Sequence, residues 1–301
     1  MKWVNHESHV EIYPPKEFKF TECLVFLGRS QEEVLHRIKD HYLYKLLLIQ
    51  EEMILVKILE AEGIIKVEFP IVAPNNSKRI QVVNYIEEWF DFHSDLEGFY
   101  QMANEDQLLK RMAEKYYGLR MVGIPDLFEA LTWAIMGQQI NLPFAYLLKK
   151  RFVESYGNSL TFEGETYWIY PTYKEIAKVR VEDLRNLQFT TRKAEYIIGI
   201  AKIMVSGEIT KEKLKHLEYH ELHNQLMKIR GVGAWTAAYV MMKCFHQHSS
   251  FPIADVGLHN ALKLQLGLEN KPRIHEIKVM ATNWEGWQSY ATFYLWRSLY
   301  D

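Results

Sequence analysis

The spacing of apolar residues changes about a third of the way along the chain, and that change limits the folds open to it. Up to about residue 90, FKFTECLVFL and KLLLIQEEMILVKILEAEGIIKVEF are apolar-dominated runs interrupted by turn residues. Gly63 interrupts one hairpin candidate, and a proline-containing turn spans Pro70 to Pro74. Runs of this kind predict short strands, with QEEVLHRIKD as a helix between two of them. From about Asn84 onward, apolar residues recur with the helical period. The pattern predicts helices over Pro125–Met136, Leu142–Tyr156, Val181–Leu187, Arg192–Ser206, Glu221–Ile229, Ala234–Phe245, Gly257–Leu266 and Trp284–Ser298. The expected fold class is therefore α+β: a small mixed sheet domain over residues 1–90, followed by a large all-α domain over 91–301.

A chain of 301 residues, 48% of them hydrophobic, can bury one large core or two moderate ones. No apolar run reaches the roughly 18 residues of a membrane span, so no membrane partner is expected. The start, MKWVNHESHVEIYPP, lacks the apolar core of a signal peptide. Two cysteines, Cys23 and Cys244, are too few for a disulfide scaffold or a four-cysteine cluster. They fit a reducing cytoplasm, with a nucleoid association in a bacterial cell. A monomer is expected. The formal net charge of −2 does not announce a nucleic-acid protein, so any DNA contact must rest on local geometry.

The stretch IRGVGAWTAAY, Ile229 to Tyr239, offers such geometry. Leu222, Leu226 and Ile229 line one face of a helix that ends near Lys228. Gly231 and Gly233, flanking Val232, then give the backbone the freedom of a tight turn. The next helix starts at Ala234, and its first N–H groups have no partner within the helix. Amides so placed grip a phosphate without reading sequence, and Lys228 and Arg230 add local charge. A plain structural corner between helices stands beside this reading. A dinucleotide loop fits poorly, since GVGAWT lacks the third glycine and follows a helix rather than a strand. Further on, in FPIADVGLHNALKLQLGL, Asp255 precedes an apolar-periodic helix. It suits an N-cap, and a carboxylate held ionised there also suits stabilisation of positive charge on a sugar.

IRGVGAWTAAYVMM followed by FPIADVGL resembles the helix-hairpin-helix DNA glycosylase superfamily, and more closely its DNA-3-methyladenine glycosylase II (AlkA) type. DLFEALTWAIMGQQI resembles the family's helix with a GQ pair, TTRKAEYIIGIA its Lys/Arg-Ala helix start, and WEGWQSYATFYLW its C-terminal helix. The resemblance implies base-excision repair of damaged double-stranded DNA. A base is flipped out and its N-glycosidic bond hydrolysed, with alkylated purines as substrates. It implies Asp255 as the catalytic carboxylate. Trp235, Tyr239 and Trp296 would wall the base slot, where cation–π contacts are worth about 0.5–2 kcal/mol each. Gly231, Val232, Gly233, Gln138, Gln139, Arg192 and Lys193 would contact DNA. Gln139 stands at the wedge position, where relatives often carry Leu. Val256 stands where some relatives place Tyr, which implies a thinner wall.

Trp235 occupies the place of the Schiff-base lysine of bifunctional relatives, which implies a glycosylase without lyase activity. The family also implies a Na⁺ or K⁺ on the backbone carbonyls of Met227, Ile229 and Gly231, and no organic cofactor. An oxidised-purine glycosylase, a non-catalytic damage-binding protein and an unrelated helical domain are the rival readings. The pairs His220/His223 and His246/His248 lack zinc-like surroundings and read as solvated surface histidines. Lys149, Lys150 and Arg151 read equally as phosphate contacts or as solvent-facing charge.

Overall fold

The computed structural model describes residues 2–301. The chain opens with β1 (Trp3–Asn5), β2 (His9–Ile12), α1 (Phe20–Leu27), β3 (His36–Lys39), β4 (Tyr42–Ile49), β5 (Glu52–Ala61) and β6 (Ile64–Glu68). The six strands form one antiparallel sheet in the order β1-β2-β6-β5-β4-β3. Helices follow: α2 (Asn76–Trp89), α3 (Glu97–Glu105), α4 (Gln107–Lys115), α5 (Leu127–Gly137) and α6 (Leu142–Tyr156). A two-stranded hairpin, β7 (Ser159–Phe162) with β8 (Glu165–Trp168), comes next. The rest is helical: α7 (Tyr173–Ile176), α8 (Val181–Asn186), α9 (Thr191–Val205), α10 (Lys211–Leu214), α11 (Tyr219–Met227), α12 (Ala234–Phe245), α13 (Val256–Gln265), α14 (Ile274–Met280), a 3₁₀ turn (Ala281–Trp284) and α15 (Gln288–Arg297). The fold class is α+β as expected, with β7–β8 an addition inside the helical part.

Two local expectations fail, each for a physical reason. FTECLVFL is a helix, not a strand. Phe20, Cys23, Leu24 and Leu27 are buried at helical spacing, while Val25 faces outward. QEEVLHRIKD is not a helix, because its second half is the edge strand β3, paired with β4. Asp40 and His41, both at positive φ (51° and 67°), close that hairpin in two residues. Gln50–Glu51, Glu62–Gly63 and Glu163–Gly164 close the other two-residue hairpins in the same left-handed conformation. This turn twists with the strands it joins, and only two of the four carry the glycine that announces it.

The sheet docks firmly on the helices. Leu46 and Leu55 of the sheet pack against Tyr167 and Ile169 at the β7–β8 hairpin, and Arg37 pairs with Glu165 at 3.1 Å. On another side, α1 packs on α15 through Phe26 and Phe293, with ring centroids 4.6 Å apart. Arg297 there reaches Glu22 at 2.9 Å. Two of the three cations of α6 belong to this junction rather than to solvent or phosphate, and the third stays within the helical part. Lys149 pairs with Glu33 at 2.8 Å, Lys150 with Glu32 at 2.8 Å, and Arg151 donates to the Gln188 side chain.

The Lys149–Glu33 pair is only 9% and 7% exposed. Burial opposes the charge on Glu33, yet Lys149 and His36 hold its carboxyl well below the usual carboxylate range. Removing Glu33 leaves the buried Lys149 charge with only Glu129, 3.9 Å away. Glu33→Gln is therefore expected to cost about 3 kcal/mol of stability at neutral pH, measurable by denaturant unfolding. Because the folded-state pKa is depressed, the contribution is present above the ordinary carboxylate pKa. It fades as pH falls toward the depressed value, so the difference between the two proteins should narrow in acid.

Candidate active site

Asp255 is the N-cap of α13, as its position before the apolar-periodic run implies. Its Oδ1 accepts the Leu258 amide at 2.8 Å. The same oxygen accepts the indole N–H of Trp296 at 2.8 Å, and Oδ2 accepts that of Trp235 at 3.1 Å. One carboxylate thus ties together the starts of α12 and α13 and the end of α15. Burial pushes its pKa up, and the Leu258 amide and the two indoles oppose that shift by donating to the anion. The result is a desolvated carboxylate with every strong donor around it aimed at its charged form.

The aromatic residues form a continuous surface beside it. Trp235 and Tyr239, one turn apart on α12, have ring centroids 5.6 Å apart, and Tyr239 lies 6.1 Å from Trp296. Tyr239 and Trp296 are each 8% exposed, and Trp235 is half-buried. The Tyr239 hydroxyl accepts the indole N–H of Trp133 at 2.9 Å, which fixes the ring from behind. Val256 projects outward, 63% exposed, and adds no wall.

The glycine turn joins α11 to α12 as the sequence implies. Gly231 has φ +94°, and a Cβ there would lie 2.4 Å from the Tyr196 ring. Gly233 caps α12 in an extended conformation, with open space where its Cβ would be and no side chain capping the helix. Gly233 and Ala234 are exposed, so the helix start faces solvent.

Three of the residues expected to contact DNA are committed elsewhere. Gln138 donates from Nε2 to the Gly231 carbonyl and to the Thr236 hydroxyl, both at 2.9 Å, so it braces the hairpin from α5. Lys193 is buried, and its Nζ donates to the Met136 carbonyl at 2.8 Å near the end of α5. A lysine of five side-chain atoms reaches that carbonyl from the start of α9 only by turning inward, away from any phosphate. Val232 buries its side chain and donates its amide to the Ile229 carbonyl at 3.0 Å. Arg192 remains exposed at the α9 start, and Gln139 stands exposed between α5 and α6 at φ +56°.

Two features escaped sequence reasoning. Gly257 lets the site close: a Cβ there would come within 2.9 Å of Asp255 Oδ1 and 3.1 Å of Trp296 Nε1. Its only signal was a glycine directly inside a helix start. His246 and His248 are not surface residues. His246 is largely buried, 3.6 Å from Asp91, and His248 stacks on Trp287 at 4.4 Å while its ring nitrogen meets the Ser94 hydroxyl at 2.8 Å. Burial holds both imidazoles below the usual histidine range.

Residues 132–289 match the HhH-GPD superfamily of base excision DNA repair proteins, and residues 12–131 match the N-terminal domain of 8-oxoguanine DNA glycosylase. The chain is 44% identical over its whole length to a DNA-3-methyladenine glycosylase of Bacillus subtilis, which it also covers completely. Its fold is similar to that of a 3-methyladenine DNA-glycosylase from Archaeoglobus fulgidus, with TM-score 0.82, 24% identity and coverage of 95% of this chain and 97% of that one. It is also similar to a Clostridium acetobutylicum 8-oxoguanine glycosylase/lyase in complex with double-stranded DNA, with TM-score 0.77, 19% identity and coverage of 99% and 97%.

The two glycines of the turn should respond differently to a methyl group. Gly231→Ala puts a side chain at positive φ against the Tyr196 ring and should cost about 2 kcal/mol of stability. Gly233→Ala should stay within about 0.5 kcal/mol of the parent. Equal losses in a thermal or denaturant melt would show that the turn is not built as described.

Proposed function

The chain belongs to the HhH-GPD superfamily of base excision DNA repair glycosylases, and from that premise we propose that it excises alkylated purines (3-methyladenine and 7-methylguanine), together with the deaminated purine hypoxanthine, from duplex DNA and leaves an abasic site. The observation that carries the reading is the Asp255 carboxylate held between the indoles of Trp235 and Trp296. A purine inside a duplex is unreachable and must be extruded at a cost of a few kcal/mol. Once out, it stacks against the rings of Trp235, Tyr239 and Trp296, whose π faces attract the positive charge of an alkylated base.

As the bond from C1′ to the base nitrogen lengthens, the sugar takes on oxocarbenium character. Asp255 provides a fixed negative charge, already desolvated and oriented, and such preorganised groups contribute on the order of 3 kcal/mol. The alkylated base leaves readily because it already carries positive charge, and Asp255 orients the water that completes hydrolysis. The exposed amides at the α12 start, with Arg192, hold the backbone, and Gln139 fills the gap left by the extruded base. The carbonyls of Met227, Ile229 and Gly231 suit a Na⁺ or K⁺. Those of Ile229 and Gly231 each accept one hydrogen bond, which leaves each a second lone pair for a hard cation. Such an ion, when bound, would supply positive charge between the hairpin and a DNA phosphate.

The absence of lyase activity rests on Trp235, which offers no amine to the sugar. Lys243 lies on the same helix, and burial lowers its pKa well below the usual lysine range. Eight residues of helix place it about 12 Å along the axis from Trp235, however, and its Nζ donates to the Val122 carbonyl.

Duplexes carrying 3-methyladenine, 7-methylguanine or hypoxanthine should release free base, with strand scission only after alkali. Scission without alkali would overturn the monofunctional reading. Asp255→Asn should lower release by about 10²- to 10³-fold, by analogy with loss of one preorganised electrostatic group. Release by the parent should fall in acid as the carboxylate protonates, at a pH above the ordinary aspartate range because burial raises its pKa. Trp235→Phe removes one donor to the anion, so the acid limb of its pH–rate profile should move further up. An unmoved limb would mean that Asp255 does not control the step.

A further inference from the structure

We propose that Arg29 reads the edge of the extruded base and biases excision toward neutral purines with a keto oxygen at position 6, hypoxanthine being the type, over cationic 3-alkyladenines. The inference rests on the glycosylase reading above and assigns part of the base pocket to the N-terminal domain.

Arg29 follows α1 directly after Gly28. Its guanidinium lies over the Phe26 ring, 3.8 Å from the centroid, and 5.5 Å from that of Tyr146. Nη1 donates to the Phe26 carbonyl at 2.6 Å. A guanidinium has five N–H groups, and this is the one hydrogen bond Arg29 makes among the described residues. No carboxylate among them comes within ion-pair distance of it, because the nearby acids serve Lys149, Glu33 at 2.8 Å and Glu129 at 3.9 Å. None of its unused N–H groups is both buried and unpartnered, so they are open to solvent and to an incoming acceptor.

Arg29 borders a small cavity, about 50 Å³, lined also by Trp133, Tyr146, Tyr239 and Lys243 and by the Lys149-paired acids Glu33 and Glu129. That volume admits an exocyclic oxygen or a water but not a purine ring. Tyr239 is the wall shared with the Asp255 site: its ring meets Trp235 and Trp296. Tyr300 also links the two, since its ring packs edge-on to Phe26 at 6.3 Å. After burial, which raises both phenols, the Arg29 charge lowers and the Asp255 charge raises the pKa of Tyr239 and of Tyr300 alike. A base stacked on Tyr239 can present only an edge to this cavity.

The chemistry of that edge decides the preference. Hypoxanthine offers O6 and N7, two acceptors at the spacing a guanidinium fork matches. The adenine edge puts an amino donor where O6 would be, so donor meets donor. In 3-methyladenine the ring also carries positive charge, which Arg29 repels across a medium less polar than water.

The test compares single-turnover release of hypoxanthine and of 3-methyladenine from matched duplexes by the parent, Arg29→Met and Arg29→Lys. Met keeps the aliphatic stem over Phe26 and removes charge and fork. The ratio of hypoxanthine to 3-methyladenine release is expected to drop about tenfold or more in Arg29→Met, the discrimination a bidentate pair supplies. Arg29→Lys keeps the charge without the fork and should fall between. A parallel loss on both substrates would reveal a merely structural role, and an unchanged ratio in both variants would overturn the proposal. The parent's own release of either base tests the glycosylase reading separately, so the two failures are distinguishable.

Discussion

Three N–H donors converge on one carboxylate, and the geometry of the candidate site follows from that convergence. Asp255 receives the Leu258 amide and the indoles of Trp235 and Trp296, so the starts of α12 and α13 and the last helix cannot shift independently. The arrangement sets two opposed physical effects against each other. Burial disfavours the anion and the donors offset part of that penalty, which leaves a charge that is poorly solvated yet fixed in direction. Water around an exposed carboxylate would have to reorganise as positive charge grew on a substrate; indole and amide dipoles are already in place.

The same design explains where the glycines fall. Gly231 is required by its left-handed backbone and by the Tyr196 ring, and Gly257 by the approach of Trp296 to Asp255. Gly233 has no such internal constraint, and it stands at the solvent-facing helix start. Two glycines thus serve the fold's own packing, while the third keeps a row of backbone dipoles accessible. That division shows how a chain with formal charge −2 can present a surface for a polyanion. It needs less cationic side-chain density than a protein that binds through lysines and arginines. Arg230, one of the few cations here, shares a surface ion pair with Glu195 at 2.7 Å, and such a pair is weak enough to exchange partners.

The N-terminal sheet is more than a neighbour of the helical part. Ion pairs from α6, the β7–β8 hairpin and the α1–α15 contact join it to the helices on several sides. These contacts also bring Arg29 beside Tyr239, at the back of the aromatic surface. Nothing in the sequence near Arg29 signals a role in a site some 200 residues away, because the relation exists only once the sheet has docked.

What the sequence determined by itself is whatever depends on short-range spacing. The period of apolar residues marked α6 and α12 to the residue and five of the six other predicted helices to within two, since a helix buries one face at fixed intervals. Asp255 was legible as an N-cap because capping is a matter of adjacent residues, and Trp235 and Tyr239 could be placed on one helical face because they are four apart. The failures share a cause. The hairpins at Asp40–His41 and Gln50–Glu51 lack glycine, so their left-handed turns are imposed by strand pairing rather than announced locally. Only tertiary structure turned Lys193 inward to the Met136 carbonyl and Gln138 onto the hairpin, took Lys149 into the domain junction, and left the His246 side chain only 16% exposed. A long polar side chain satisfies its charge or hydrogen bonds with whatever the fold brings within reach, and that partner is not encoded in its sequence neighbours.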